Sequence, residues 1–550
     1  MTATASSVSR ATAPCSATRD GQGAGFDRNA GAKDAFHSIL FASPADRPVG
    51  AASPPDCLRD LNLDQVFVSM VAGREKYDLL PLFYSPLKSI EAVKYRYGVL
   101  RDIERDDVLA AVCSFSAGLQ QMRTSLTNAE KAYYPRERQR WFLDAVERYI
   151  DAVQALHIFL SQNTVGSDGM KKLCAFLSIY VASEEFGALV QATRSLIAEL
   201  EQLRYSLHVD GLAVTVSSYN GEPDYGSEII HTFERFNHGQ GYTYAVSSPT
   251  DRSVNHVEAA ILELVARLQP SPFLHLEEFN SRFRNFSDRR MTDFEHDVQF
   301  YVACLEYFGP LRAAGLKYSH PEISDQRKDV YGSEVYDLAL ASNLVREASP
   351  VVTNEFFMKD QERILVISGP NQGGKTTFAR AFGQLHYLAC IGCPVPASSA
   401  RLFLCDKLFT HFEEEETGGN SMGKLEGELL RVREILADAT PQSILILNES
   451  FASTTADDAL LLNKEILQKI IQVGMLCVTV TFLEDLASFG TTTVSMVSTV
   501  DPGDVSTRTY KLARRAPDGI AFARTIAEKH RLTQSAIKSR ILATMEGVQP

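Results

Sequence analysis

The sequence predicts an α + α/β protein, with a long helical part followed by an α/β part built on a mainly parallel sheet. Three observations predict it. Between about residues 34 and 334, long runs such as 141–160 and 184–203 place apolar residues at three- and four-residue spacing, the signature of amphipathic helices. From about residue 335 the pattern changes, and short apolar runs at 364–367, 443–447 and 475–480 alternate with helical stretches. That order suits parallel strands covered by helices. Within the helical part, the stretch YSLHVDGLAVTV at 205–216 alternates on either side of Asp210-Gly211, which signals a hairpin near the far end of long helices.

The 550 residues are too many for one ordinary core and point to two to four domains. Residues 1–33, rich in Ala, Ser, Thr and Gly, read as a disordered leader. The expected divisions are then 34–334 for the helical part with its small β element near 205–217, 335–525 for the α/β part, and 526–550 for a helical tail. With 45% hydrophobic and 22% charged residues, the composition is that of a globular protein. A net charge of -13 argues against general attraction to polyanions, so any nucleic-acid contact needs a local basic patch. Arg136, Arg138, Arg140, Arg282, Arg284, Arg289 and Arg290 form the obvious clusters, although such charges more often cover a solvated helix face. Nine cysteines without a framework spacing read as free thiols in a reducing, cytoplasmic setting. The Cys390/Cys393 pair lacks zinc-spaced partners and reads as two small residues at a helix end. No run approaches a membrane span.

The most informative stretch is RILVISGPNQGGKTT at 363–377. Four consecutive apolar residues, Ile364 to Ile367, suit a strand buried on both faces. Gly369, Pro370, Asn371, Gln372, Gly373, Gly374, Lys375 and Thr376 then fit G-x-x-x-x-G-K-[ST], and Thr377 continues into a helix. The spacing follows from the chemistry. Glycines let backbone N–H groups curl round a phosphate while a helix N-terminus points at the same anion. Lys375 is placed to reach the β- and γ-phosphates of ATP, and the Thr376 hydroxyl to ligate Mg²⁺. The strand 444–447 ends in Asn448-Glu449, where a carboxylate would orient the attacking water and make Glu449 catalytic beside Lys375. Asn448 stands where such sites usually carry an Asp, so its hold on Mg²⁺ would be indirect and without negative charge.

Taken with GPNQGGKTT, the stretches at 393–412, 435–449 and 480–486 make the C-terminal part resemble the ATPase domain of the MutS mismatch-repair family, itself related to ABC-type ATPases. Upstream segments at 61–65, 77–87 and 95–104 are similar to the helical core of stand-alone MutS-like proteins that lack mismatch-reading and connector domains. The resemblance implies that Asn354, in VVTNEF, belongs to the nucleotide site and that 453–455 faces a partner subunit. It also implies a homodimer in which each site is completed by a signature segment of the other chain, here 417–428 with Asn420, Ser421 and Gly423. In that segment Gly423-Lys424-Leu425 replaces the family's Ser-Thr-Phe, and Phe482 stands where the family has a γ-phosphate-sensing histidine. A slow, gated ATPase is the expected outcome. The tail at 526–542 resembles the helical end that helps such domains pair.

These features lead to an ATP-dependent clamp on mismatched or branched DNA, with lever helices and a reduced clamp. The rival reading is a nucleotide-gated protein-interaction module that hydrolyses little ATP and holds no DNA. A transporter-type ABC subunit fits less well, because the helical part is amphipathic.

Overall fold

The computed structural model describes residues 36–47, 53–211, 213–222, 254–412, 423–501, 507–517 and 531–546. The expected leader at 1–33 and the signature residues Asn420 and Ser421 lie outside them.

Helices dominate the first part: α1 (Cys57–Asp60), α2 (Leu63–Val71), α3 (Leu80–Phe83), α4 (Ile90–Ile103), α5 (Asp106–Lys131), α6 (Pro135–Gln162), α7 (Asp168–Val181) and α8 (Glu184–Glu201). Their starts follow local chemistry. Ser89, Ser167 and Ser183 cap α4, α7 and α8 with their hydroxyls, and Pro135 opens α6, where a missing N–H costs nothing. The two longest helices, α5 with 26 residues and α6 with 28, pack side by side. Val108, Val112, Phe115, Leu119 and Met122 line the buried stripe of α5. Gly118 permits the close approach, since a Cβ there would sit 2.8 Å from that of Ala152.

Beyond α8 comes the expected hairpin, β1 (Tyr205–Asp210) and β2 (Ala213–Ser218), closed at Asp210↔Ala213 with Gly211 at φ +59° in the turn. The helical pattern resumes in α9 (His256–Leu268), α10 (Pro270–Arg282) and α11 (Arg289–Ala313).

Short strands then precede the position where the sequence pattern changes. β3 (Glu322–Ser324), β4 (Val330–Val335), β5 (Asn354–Met358) and β7 (Ser399–Phe403) make a mixed four-stranded sheet of order β3-β7-β4-β5. β6 (Ile364–Ser368), β8 (Leu408–Phe412), β9 (Ile444–Asn448), β10 (Leu476–Val480), β11 (Thr493–Val500) and β12 (Arg508–Arg514) make the second sheet, ordered β12-β11-β6-β10-β9-β8. Only the β11–β12 pair of this sheet is antiparallel, so it is mainly parallel, as expected. The associated helices are α12 (Leu338–Arg346), α13 (Lys375–Cys390), α14 (Lys424–Asp438) and α15 (Ala456–Val473), with α16 (Gln534–Glu546) in the tail.

Continuous apolar runs are needed because the parallel sheet is covered on both faces. Leu365 and Ile367 of β6 join a core that extends from Phe36 to Leu512, whereas Ile364 and Val366 join a smaller core with Ile466 and Leu467 of α15. The larger core binds the helical part to both sheets.

Helix α13 is anchored at its C-terminal end by the helical part. Arg96 of α4 is fully buried, its Nη1 donates to the Ile391 carbonyl (2.7 Å), and its Nε donates to the Leu40 carbonyl (3.1 Å). Its guanidinium lies between the Phe41 and Phe300 rings, about 5 Å from each. Gly392, at φ +71°, leaves it room: a Cβ there would fall 2.8 Å from Arg96 Cδ. The Leu87 N–H donates to the Cys390 carbonyl (2.7 Å). Cys390 and Cys393 are packing residues at this helix end, with Cys393 Sγ 3.2 Å from Cys304 Sγ. Burial raises the Cys393 thiol pKa well above its ordinary value. Among the described residues no cluster of His, Cys, Asp or Glu could hold a metal, and no single helix is long and apolar enough to cross a membrane.

Candidate functional site

The phosphate loop leaves the C-terminal edge of the parallel sheet, where β6 ends at Ser368 and α13 begins at Lys375. Its turns need positive φ at Gly369 (+119°), Gln372 (+58°) and Gly374 (+88°), and two of these three are glycines. Lys375 is buried, and its Nζ donates to the Gly369 carbonyl (3.1 Å) and the Pro370 carbonyl (3.2 Å). The same Nζ lies 4.0 Å from Glu449 Oε1 and 4.4 Å from the centre of the Phe482 ring. Desolvation lowers the ammonium's pKa. The Glu449 carboxylate opposes that shift, and the Arg508 guanidinium adds to it.

The adjacent strand end supplies the rest. Asn448 closes β9, and its Oδ1 accepts a hydrogen bond from the Thr376 hydroxyl at 2.9 Å. Glu449 follows in a left-handed conformation (φ +55°), its N–H donating to the Val480 carbonyl of the neighbouring strand (2.9 Å). The Phe451 N–H donates to Glu428 Oε2 (2.7 Å), tying the turn after Glu449 to α14. The structure brings Gly369 to Thr377, Asn448 and Glu449 together at one edge of the parallel sheet.

Beside the loop lies a cavity of about 710 Å³, walled by the loop, Glu449, Leu340 and Leu344 of α12, Val351 and Tyr510. A lining that combines the polar loop with apolar side chains suits a ligand that is part anionic and part apolar, as a nucleotide is. A second cavity of about 520 Å³, between the start of α1 and the β8–α14 edge, is lined by none of the loop residues.

Asn354 also borders the nucleotide-sized cavity, but its amide is committed to backbone. Its Nδ2 donates to the Tyr510 carbonyl (3.1 Å) and its Oδ1 accepts from the Leu512 N–H (2.8 Å), so it joins β5 to β12 across the two sheets. Tyr510, held at φ +57° in that junction, was not singled out by sequence; no local pattern marks it. Ser498 was missed in the same way: it is fully buried, and its hydroxyl donates to the Gly373 carbonyl at 2.6 Å. Of the expected signature residues only Gly423 is described. It is exposed and begins α14 as its N-cap. Ser453 and Thr455 are exposed, and Thr455 caps α15 by accepting the Asp458 N–H.

Part of the basic cluster is paired within the protein. Arg136 lies over the Phe273 ring and 3.6 Å from Glu263, Arg140 pairs with Asp144 (2.9 Å), and Arg290 pairs with Asp288 (2.6 Å) over the Phe176 ring. Arg138, Arg140, Arg282, Arg284 and Arg289 are exposed, and Arg289 Nε lies 3.6 Å from Asp293 Oδ2.

In comparison with known proteins, residues 365–543 match the family model described as MutS domain V. The chain is 27% identical over 291 residues to the protein named Endonuclease MutS2 from Thermus thermophilus, covering 52% of this chain and 38% of that protein. It is 32% identical over 133 residues to the DNA mismatch repair protein MSH3 of Kluyveromyces lactis, covering 24% of this chain and 13% of that protein. The matched stretches thus span well under half the length of either relative.

Proposed function

We propose, from the premise that this chain carries a MutS domain V and is a MutS-family ATPase, that it is an ATP-dependent clamp acting on mismatched or branched DNA in repair or recombination. The observation that carries the ATPase reading is the grouping of Lys375, Thr376, Asn448 and Glu449 round the phosphate loop, with Lys375, Thr376 and Glu449 lining the 710 Å³ cavity.

Each residue then has a task. The loop N–H groups and Lys375 hold the β- and γ-phosphates, and Lys375 exchanges its Gly369 and Pro370 carbonyls for phosphate oxygens. Glu449, released from its 4.0 Å approach to Lys375, orients the attacking water and takes its proton. The base lies in the slot between Leu340, Leu344, Val351 and Tyr510. The Thr376 hydroxyl and the Asn448 amide oxygen, 2.9 Å apart, are the oxygens that would hold Mg²⁺, with Asn448 in the indirect role. When bound, that ion neutralises charge on the transferring phosphoryl group. An amide at 448 and a ring at 482 supply neither the anion nor the donor of a fast site, so turnover is slow. Two copies complete each other's sites through the segment that contains Asn420, Ser421 and Gly423, and the protein works in the cytoplasm.

The direct test is steady-state ATP hydrolysis. Lys375→Ala weakens ATP binding roughly ten- to a hundredfold, the scale of charge-assisted contacts. Glu449→Gln keeps binding and slows turnover about 10²- to 10⁴-fold. Turnover indifferent to both changes refutes the assignment.

The protein-interaction reading draws on two observations: the acidic net charge of -13, and a hairpin that exposes Leu207 and Val209 rather than basic side chains. Binding to homoduplex, mismatched and four-way-junction DNA across a salt series separates the two. A DNA clamp gives a steep salt dependence, and absence of binding at low salt leaves the partner-protein reading.

A further inference from the structure

The phosphate loop is gripped from outside by the antiparallel pair β11–β12. β11 runs parallel to β6 with Val497 opposite Ser368, which carries the next residue, Ser498, alongside the start of the loop. Ser498 is fully buried there, and its hydroxyl donates to the Gly373 carbonyl (2.6 Å). The fit requires glycine on the loop side. A Cβ on Gly369 would meet Ser498 Cβ at 3.0 Å, and one on Gly373 would meet Ser498 Oγ at 2.3 Å. The β11–β12 register shifts between Ser498 and Val500, and Val500 pairs with Arg508. Arg508 Nε donates to the Asn371 carbonyl (3.2 Å).

We infer that Ser498 and Arg508 are positioning residues that aim the loop's amide N–H groups at the phosphates of a bound nucleotide. The reason is the geometry of the peptide unit. In a planar trans peptide, the C=O of one residue and the N–H of the next point in opposite directions. Holding the Gly373 carbonyl on Ser498 therefore turns the Gly374 N–H away from the β11–β12 pair. Holding the Asn371 carbonyl on Arg508 does the same for the Gln372 N–H. Gln372 and Gly374 both line the 710 Å³ cavity, and both have the left-handed φ found where successive N–H groups converge on an anion. The Gly369 and Pro370 carbonyls are taken by Lys375. The Asn371 and Gly373 carbonyls are thus held before any phosphate arrives, and the Gln372 and Gly374 N–H groups are organised in advance. Arg508 also brings positive charge close enough to depress the Lys375 ammonium, and that charge would favour an arriving anion.

This rests on the nucleotide-site reading above, and the experiment separates the two. Binding of Mg-ADP, inorganic pyrophosphate and adenosine is measured on the full chain and on Ser498→Ala and Arg508→Ala, with ligand-observed NMR for the weak adenosine complex. Each change removes one aiming contact and is expected to weaken ADP and pyrophosphate about three- to tenfold, leaving adenosine within twofold. Ser498 is buried and its loss could disturb folding; Arg508 at the rim supplies the independent arm. An equal loss of adenosine and ADP in Arg508→Ala marks a general disturbance of the pocket and overturns the inference. Unchanged ADP affinity in both variants overturns it as well, while the nucleotide site stands. A wild-type chain that binds no ADP sinks the nucleotide reading itself.

Discussion

The Thr376 hydroxyl donates to the Asn448 carboxamide oxygen across 2.9 Å, joining the first turn of α13 to the end of β9. A carboxylate in that place would offer the same oxygen with a full negative charge. The amide keeps the geometry and gives up the electrostatics.

Asn448→Asp should therefore tighten Mg²⁺ dependence without moving the loop. The magnesium concentration for half-maximal ATPase is expected to fall roughly tenfold, the scale of one charge-assisted contact. A magnesium titration at fixed ATP reads this directly, and an unchanged midpoint would remove the 376–448 pair from metal binding.

Phe482 is half exposed, and its ring centre lies 4.4 Å from Lys375 Nζ, within reach of the phosphate that the ammonium would hold, yet it has no N–H to give. Phe482→His supplies one. Preference for ATP over ADP is expected to rise about tenfold, with ADP affinity nearly constant, in paired titrations with ADP and a non-hydrolysable ATP analogue.

The arginine clusters divide by what they already touch. Arg290 bonds Asp288 and covers Phe176, so Arg290→Ala should lower stability by about 1–2 kcal/mol in urea unfolding. Exposed Arg284, and Arg289 with only a 3.6 Å surface approach to Asp293, are the candidates for phosphate contact. Their double replacement by Ala is expected to weaken DNA binding and to reduce the salt slope by roughly two, with stability unchanged.

His386, buried in α13 with Nδ1 2.9 Å from the Phe382 carbonyl, has its pKa pushed down to about 4 by desolvation. Its folded pKa lies below the unfolded value of 6.5, so the unfolded chain takes up the proton first as pH falls. Stability contributed by the neutral ring is complete above pH 6.5 and is lost progressively down to about pH 4. Between pH 7 and pH 5 the loss is about 2 kcal/mol. His386→Leu should flatten that part of the pH dependence in urea unfolding, whatever its effect at pH 7.

The parts that sequence made legible are those in which one local pattern has one physical reading. Ile364 to Ile367 had to be a strand covered on both sides, and the two faces indeed enter different cores. Asp210-Gly211 marked a turn because φ is positive at Gly211. The adjacency of Lys375, Thr376 and Glu449 was legible because loop and strand end fall at neighbouring places on an α/β sheet. The four-stranded sheet was not foreseen, since β3 has only three residues and no periodicity to display. Tyr510, Ser498 and Arg508 were hidden for another reason. Their roles come from strands that cross the loop in space, and Asn354, legible as a motif, does its bonding to backbone atoms that a sequence does not rank.

Arg96 and Gly392 share one small volume, and this constrains how the chain can drift. Any side chain at 392 would strike the arginine's methylenes, and any shorter residue at 96 would leave the Ile391 and Leu40 carbonyls without their donor. The two positions should therefore substitute together in lineages of related chains, and their covariation would reflect space-filling at a helix end with no bearing on nucleotide chemistry.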